Sequence, residues 1–199
     1  GMVRQNVFTE SDLKNMDEAI KIVRKKYSKE KFLMFDNIKD FSLAANEIKK
    51  FKPDIIFDDY IQLIACEGYT DSRRLQIEKL VNDYKWLAKE TESVVVLASQ
   101  LNRYIERNNK GRGKALEPQL SDLAESGAIE QVAENVFFSY YDYKVTGEKG
   151  KGKNIITLIA SKIRYGDSGS VDLGYDGNKC KLYNTMEEII NNEEPLPFS

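Results

Sequence analysis

No histidine occurs among the 199 residues. That absence excludes Ser-His-Asp and Cys-His nucleophilic systems, HExxH zinc proteases and imidazole-ligated metals. Cysteine is nearly as scarce, with Cys66 and Cys180 alone; they are too few for a Cys-only zinc site or a disulfide framework, and read as buried free thiols of a reducing compartment. No stretch approaches the roughly 18 to 20 apolar residues of a membrane-crossing helix, and no charged-then-apolar leader precedes a cleavage site. The expectation is a soluble, cytoplasmic protein with no membrane partner. Only 4 prolines and 12 glycines in a chain that is 41% hydrophobic and 31% charged argue against disordered and fibrous classes. An excess of one charge is also missing: 30 Lys and Arg against 32 Asp and Glu give a net charge of -2. Any phosphate-binding footprint must therefore be local.

What remains is an ordinary globular composition, and at roughly 150 residues per domain the length suits one core. Gly1-Met2 reads as a tag remnant and start methionine, residues 3–185 as the domain, and 186–199 as an acidic tail fraying from a short helix. Leu13, Met16, Ile20, Val23 and Tyr27 step by three and four behind Thr9, which predicts a helix with Thr9 as its cap. Lys31 to Phe35 predicts a short strand, and Phe41 to Phe51 a helix that Pro53 stops. Asp54 to Phe57 predicts a buried strand ending in Asp58-Asp59, Ser72 to Lys89 a long helix, and Val94 to Ala98 a second buried strand. Strand and helix alternate, so the expected fold is α/β with a mainly parallel sheet flanked by helices. In the last third the segments 136–143, 155–163, 171–173 and 180–183 read as strands joined by Gly-rich turns, giving antiparallel hairpins.

The chemistry concentrates at two strand ends. An apolar run closing on Asp58-Asp59 puts a carboxylate at the carboxyl edge of a parallel strand, where ligands bind in open α/β sheets and where a hard anion suits Mg2+ with its waters. This is a Walker B pattern; a capping or surface Asp would look the same. The run VVVLASQLNR brings Ser99, Gln100, Asn102 and Arg103 to that same edge, and an amide there can read the state of a γ-phosphate.

DDYIQLI, LASQLNR, SDLAESGAIEQVAENVFF and ASKIRYGDSG, in this order, resemble the carboxyl-terminal motor domain of DnaB-type replicative helicases from about Val3 to Tyr183. The resemblance implies a RecA-like fold, ATP and Mg2+ as ligands, a hexameric ring, single-stranded DNA in its channel, and a helicase loader and primase as partners. By motif position Asp59 corresponds to the Walker B aspartate, Gln100 to the phosphate-sensing glutamine, and Lys162 and Arg164 to a basic pair reaching a neighbouring subunit's nucleotide. Asp58 stands where the family has an apolar residue, so either carboxylate is a candidate for the inward-facing one. The family's Gly-rich phosphate loop and catalytic glutamate would lie upstream of Val3, which predicts that this chain is ATPase-inactive. Gly147 to Lys153 fits GxxxxGK, but Asn154 replaces the hydroxyl residue and a strand rather than a helix follows, so the segment reads as a hairpin turn with solvated lysines.

Arg103, Arg107, Lys110, Arg112 and Lys114 face Glu106 alone, a local charge of +4, and Gly111 and Gly113 would let this loop approach a phosphate backbone. The alternative is a solvated surface loop. The resemblance adds that Glu125-Ser126-Gly127 would offer amides to DNA phosphates and that Gln131 would sit between the nucleotide and DNA sites, while Ala124 replaces an Arg common in the family. Tyr140, Tyr141 and Tyr143 read as packing residues rather than base-stacking ones. Lys162 and Arg164 flank Ile163 and point to one side, either toward a neighbour's phosphate or toward the acidic tail. The reading is thus most of a DnaB-type helicase motor, acting at the nucleoid. The rival is a natural truncated, phage-derived, non-catalytic module that binds DNA or an intact helicase; recombinases and clock ATPases share the sheet but not these motifs.

Overall fold

A computed structural model describes residues 9–28, 30–65, 72–101, 117–123, 127–147 and 150–185. Helix α1 spans Glu10–Lys26 and opens on a capping box, with Thr9 Oγ1 accepting from Asp12 N at 3.2 Å and Asp12 Oδ2 accepting from Thr9 N at 2.8 Å. Its periodicity is as expected, but no residue of α1 is buried, and the Leu13-Met16-Ile20-Val23 stripe is exposed. Lys31 to Phe35 forms no strand. Instead the Ser28 carbonyl accepts from Lys31 and Phe32, and the Phe32 ring turns edge-on to Tyr27 at 5.3 Å. An apolar run without a strand to pair with has no ladder to join, which period alone cannot reveal.

Helix α2 (Phe41–Phe51) is capped by Asp40 and ends with Lys52 in the left-handed region, one residue before Pro53. Strand β1 (Ile55–Asp58) pairs in parallel with β2 (Val94–Leu97), Ile56 opposite Val95 and Asp58 opposite Leu97. Between them runs α3 (Arg73–Thr91), the right-sized crossover for such a pair. Helices α2 and α3 cover one sheet face, where Ala45, Ile56, Tyr84 and Leu87 are buried with Phe41, Ile48, Val95 and Leu97 against them. The other face departs from expectation: Ile55, Phe57, Val94 and Val96 are exposed, Phe57 by 73%. The two strands are half-buried rather than buried, because among the described residues the helices pack on one side only.

A second cluster, Ile61, Ile64, Ile77, Leu80 and Val81, joins the start of α3 to Ile129 and Val132 of the short helix α4 (Gly127–Val132). Ile77 and Leu80 are fully enclosed, and cutting such a side chain to Ala costs about 2–5 kcal/mol.

The last third is an antiparallel sheet in the order β3 (Asn135–Tyr140), β4 (Ile155–Ile163), β5 (Gly169–Asp176), β6 (Lys181–Tyr183). Strand β3 stops at Tyr140 rather than running to Tyr143. Asp142 turns the chain: its carbonyl accepts from Val145 N and Thr146 N, making a helical turn over Tyr143–Thr146, and its carboxylate accepts from Lys151 N and the Tyr140 hydroxyl. A short acidic side chain bonding nearby groups competes with the strand ladder at that point. Cys180 is exposed rather than buried, in the turn between β5 and β6, and Cys66 lies outside the described residues.

Candidate functional site

The carboxyl ends of β1 and β2 are tied into one edge. Ala98 N donates to Asp58 O at 2.9 Å, and Ile61 N donates to Ala98 O at 3.0 Å, so the chain leaving β1 folds back over the end of β2 into a 3-10 turn at Ile61–Leu63. Gln62, in that turn, locks the second strand's exit. Its Nε2 donates to Ser99 Oγ at 2.9 Å and its Oε1 accepts from Gln100 N at 3.3 Å, while its own carbonyl accepts from Arg73 Nη2 at 2.5 Å. The backbone of Gln100 is thereby fixed and its residue left exposed at the edge.

The two aspartates are not equivalent. The Tyr84 hydroxyl donates to Oδ2 of Asp58, and Tyr84 is only 3% exposed, held edge-on by Phe41 at 4.9 Å. Burial, then the Asp58 carboxylate, push the Tyr84 phenol far above its ordinary value, so it stays a donor. Asp59 is exposed, and its carboxylate makes no hydrogen bond or ion pair with the described residues. Among the described residues no group of three or more His, Cys, Asp or Glu could cage a metal. An exposed carboxylate at this edge would suit an ion that keeps most of its waters, as Mg2+ does with nucleotides.

A second cluster forms where β4 ends. Arg164 Nη1 donates to both carboxylate oxygens of Glu134, at 2.7 and 2.6 Å, and Lys85 of α3 donates to Oε1 of the same group. Lys162 Nζ donates to the Glu130 carbonyl at 2.5 Å and lies 3.5 Å from that of Gln131. Arg164 lies just past the end of β4, and the partners of both cations belong to α4 or the two residues after it.

With that geometry in view, comparison with known proteins is decisive. The model of the DnaB-like helicase C terminal domain matches residues 1–184. The chain belongs to this family. The replicative DNA helicase DnaB of Pasteurella multocida is 38% identical over 134 residues, 67% of this chain and 27% of that protein. The replicative DNA helicase DnaC of Bacillus subtilis is 37% identical over 131 residues, 65% of this chain and 28% of its own length. The chain thus spans about a quarter of the curated relatives it matches. Among solved structures, one described as an ATPase domain superposes with a TM-score of 0.77 at 30% identity, covering 92% of this chain and 63% of that one. A DnaB-like replicative helicase described with its interactions with primase gives 0.73 at 28% identity, covering 92% and 44%. The RecA-like fold expected from the motifs is the fold of this DnaB-like domain.

The DnaB-like motifs fall in two places. Asp58, Asp59 and Gln100 meet at the β1–β2 edge; Lys162, Arg164 and Gln131 meet at α4 and the end of β4, with Gly127 at the start of α4. Arg103, Arg107, Lys110, Arg112, Lys114 and Glu125 lie outside the described residues. The GxxxxGK look-alike is followed by β4, as a hairpin requires. Its Lys151 is exposed, and it is also ion-paired to Asp172 at 2.7 Å and bonded to the buried Thr157. Tyr141 packs against Tyr143 and Tyr175 and donates to Lys153 O at 2.7 Å, a structural role. Gln62, Tyr84 and Glu134 escaped the sequence reading because their importance rests on partners distant in the chain.

Proposed function

We propose that this chain is part of the ATP-driven motor of a DnaB-type replicative helicase, unwinding duplex DNA as a hexameric ring that holds single-stranded DNA, in the cytoplasm at the nucleoid. The observation that carries the reading is the Gln62 bridge, which keeps the exposed Gln100 on the same edge as Asp59. Family membership supports the ATP and ring context of this reading, and a helicase loader and a primase are the proposed protein partners.

In this reading Asp59 holds Mg2+ through its carboxylate, and the ion supplies charge neutralisation on the phosphates. Asp58 does not compete, because Tyr84 holds it. Gln100 orients water or a γ-phosphate oxygen with its amide, so that hydrolysis changes what β2 feels. Lys162 and Arg164 offer cations to the nucleotide of the adjacent subunit, the planar guanidinium being better matched to a phosphoryl group than an ammonium. The basic loop of Arg103, Arg107, Lys110, Arg112 and Lys114 contacts the DNA backbone, with amides at Glu125 and Gly127 and the side chain of Gln131 beside it.

The test uses a ring-forming helicase that carries this sequence together with a phosphate loop. Arg164→Ala should abolish ATP turnover with nucleotide affinity kept within about threefold, since a residue acting in trans stabilises charge that develops only in the transition state. Mixing that variant with one lacking the phosphate-loop lysine should restore activity at mixed interfaces. If mixed rings form and stay inactive, Arg164 does not act in trans.

A further inference from the structure

Glu134 lies in the two-residue link between α4 and β3, and it carries more cation than one carboxylate needs. The Arg164 guanidinium spans both of its oxygens and the Lys85 ammonium shares one of them. Partial desolvation, then the charges of Arg164, Lys89 and Lys162, hold the Lys85 ammonium below its ordinary pKa, so four cations crowd this corner. A guanidinium and an ammonium sharing two adjacent anionic oxygens is also how such groups grip a phosphoryl chain.

We propose that Glu134 is a built-in stand-in for phosphate: its carboxylate occupies the Lys85-Arg164 pair beside Lys162 and yields Arg164 to the polyphosphate of a nucleotide presented from outside the chain. The proposal rests on the reading of Lys162 and Arg164 given above. It adds a positioning residue, Glu134, and a cation that keeps it neutral, Lys85. The side chains of Lys85, Glu134 and Arg164 are 30%, 40% and 53% exposed, and pairs in such places are weak enough to exchange. When Arg164 leaves, Lys85 still neutralises Glu134, which avoids stranding a partly desolvated charge. Lys162 is held separately by the carbonyls of Glu130 and Gln131, so it stays in place during the exchange.

The experiment is a titration of the 199-residue chain with inorganic tripolyphosphate at low salt, read by calorimetry in every variant and, where Arg164 is present, also by the nitrogen resonances of its guanidinium. Glu134→Gln should bind about fivefold tighter than the parent, the loss of one exposed competing ion pair. The gain should vanish in Glu134→Gln/Arg164→Ala. Glu130→Gln removes an equal charge from the neighbouring helix α4 and should bind as the parent does. Glu134→Ala gives the same reading should the amide variant fail to fold. An equal gain in Glu130→Gln, or no gain at position 134 while Arg164→Ala alone weakens binding, overturns the stand-in and leaves the assignment of Arg164 intact. If Arg164→Ala binds tripolyphosphate as tightly as the parent, the assignment of Arg164 falls as well.

Discussion

The hydroxyl of Tyr84 donates to Asp58, and this bond sorts two neighbouring carboxylates that look interchangeable in sequence. One is committed to the core side of the edge, and the other remains available to a ligand. Tyr84→Phe should cost about 1–3 kcal/mol, since it strands a partly buried acceptor. Asp58→Asn, which retains an acceptor oxygen, should cost less. Chemical denaturation of the three chains checks the order; equal stability of all three would show that the bond contributes nothing.

The 199 residues should not hydrolyse ATP on their own. Phosphoryl transfer depends on positioning and charge neutralisation, and Asp59 and Gln100 without a phosphate-loop lysine provide little hold on the triphosphate. Turnover in a steady-state assay that disappears in Asp59→Asn would refute this.

Single-stranded DNA should bind weakly and with steep salt dependence. Each neutralised phosphate releases counterions, so replacing Arg107, Lys110 and Arg112 by Ala should lower the slope of log affinity against log salt by about 2, at roughly 0.7 for each phosphate no longer neutralised. Fluorescence anisotropy at several salt concentrations measures the slope, and an unchanged slope would make the loop solvated surface.

Gln62→Ala should loosen the exit of β2 more than β2 itself. It removes the acceptor for Gln100 N and the donor to Ser99 Oγ, so amide exchange at Gln100 should accelerate about tenfold or more while that of Val96, whose N–H faces β1 in register with those of Val94 and Ala98, keeps its protection. Equal acceleration at both sites would mean that Gln62 supports the sheet as a whole.

Hydrogen bonds from Lys151 and Thr157 hold the Asp172 carboxyl below its ordinary pKa. A carboxylate with a lowered folded value contributes stability above its unfolded pKa, near 4, and that contribution is lost as pH falls through the folded value. Asp172→Asn should therefore flatten the decline of stability below about pH 4, as measured by thermal melts across the acid range. A decline as steep as the parent's would assign the acid sensitivity to other carboxylates.

Most of the architecture was legible because it is written in local code. Thr9 caps a helix, Pro53 stops one, and β-branched runs at 55–56 and 94–96 make strands. The edge carrying Asp59 and Gln100 was legible for the same reason, since each residue closely follows its strand. The rest depended on partners far along the chain: Gln62 to Ser99 spans 37 positions, Tyr84 to Asp58 spans 26, and Glu134 to Arg164 spans 30. Phe57 and Val96 read as core because apolar strands usually are, and only the packing of α2 and α3 on a single face shows otherwise. Lys31 to Phe35 and the turn at Asp142 failed where a strand needs a neighbour or a side chain captures the backbone first.

Tyr84 and Lys85 are consecutive residues of α3, and one reaches Asp58 while the next reaches Glu134. Successive side chains on a helix diverge by about 100°, so a single peptide unit serves two different corners of the domain. A helix is stiff over one residue, and neither bond can be displaced by rolling or sliding α3 without disturbing the other. The carboxylate edge and the cation cluster are therefore mechanically geared through one turn of helix, and a substitution that tilts α3 at Tyr84 or Lys85 will register at both.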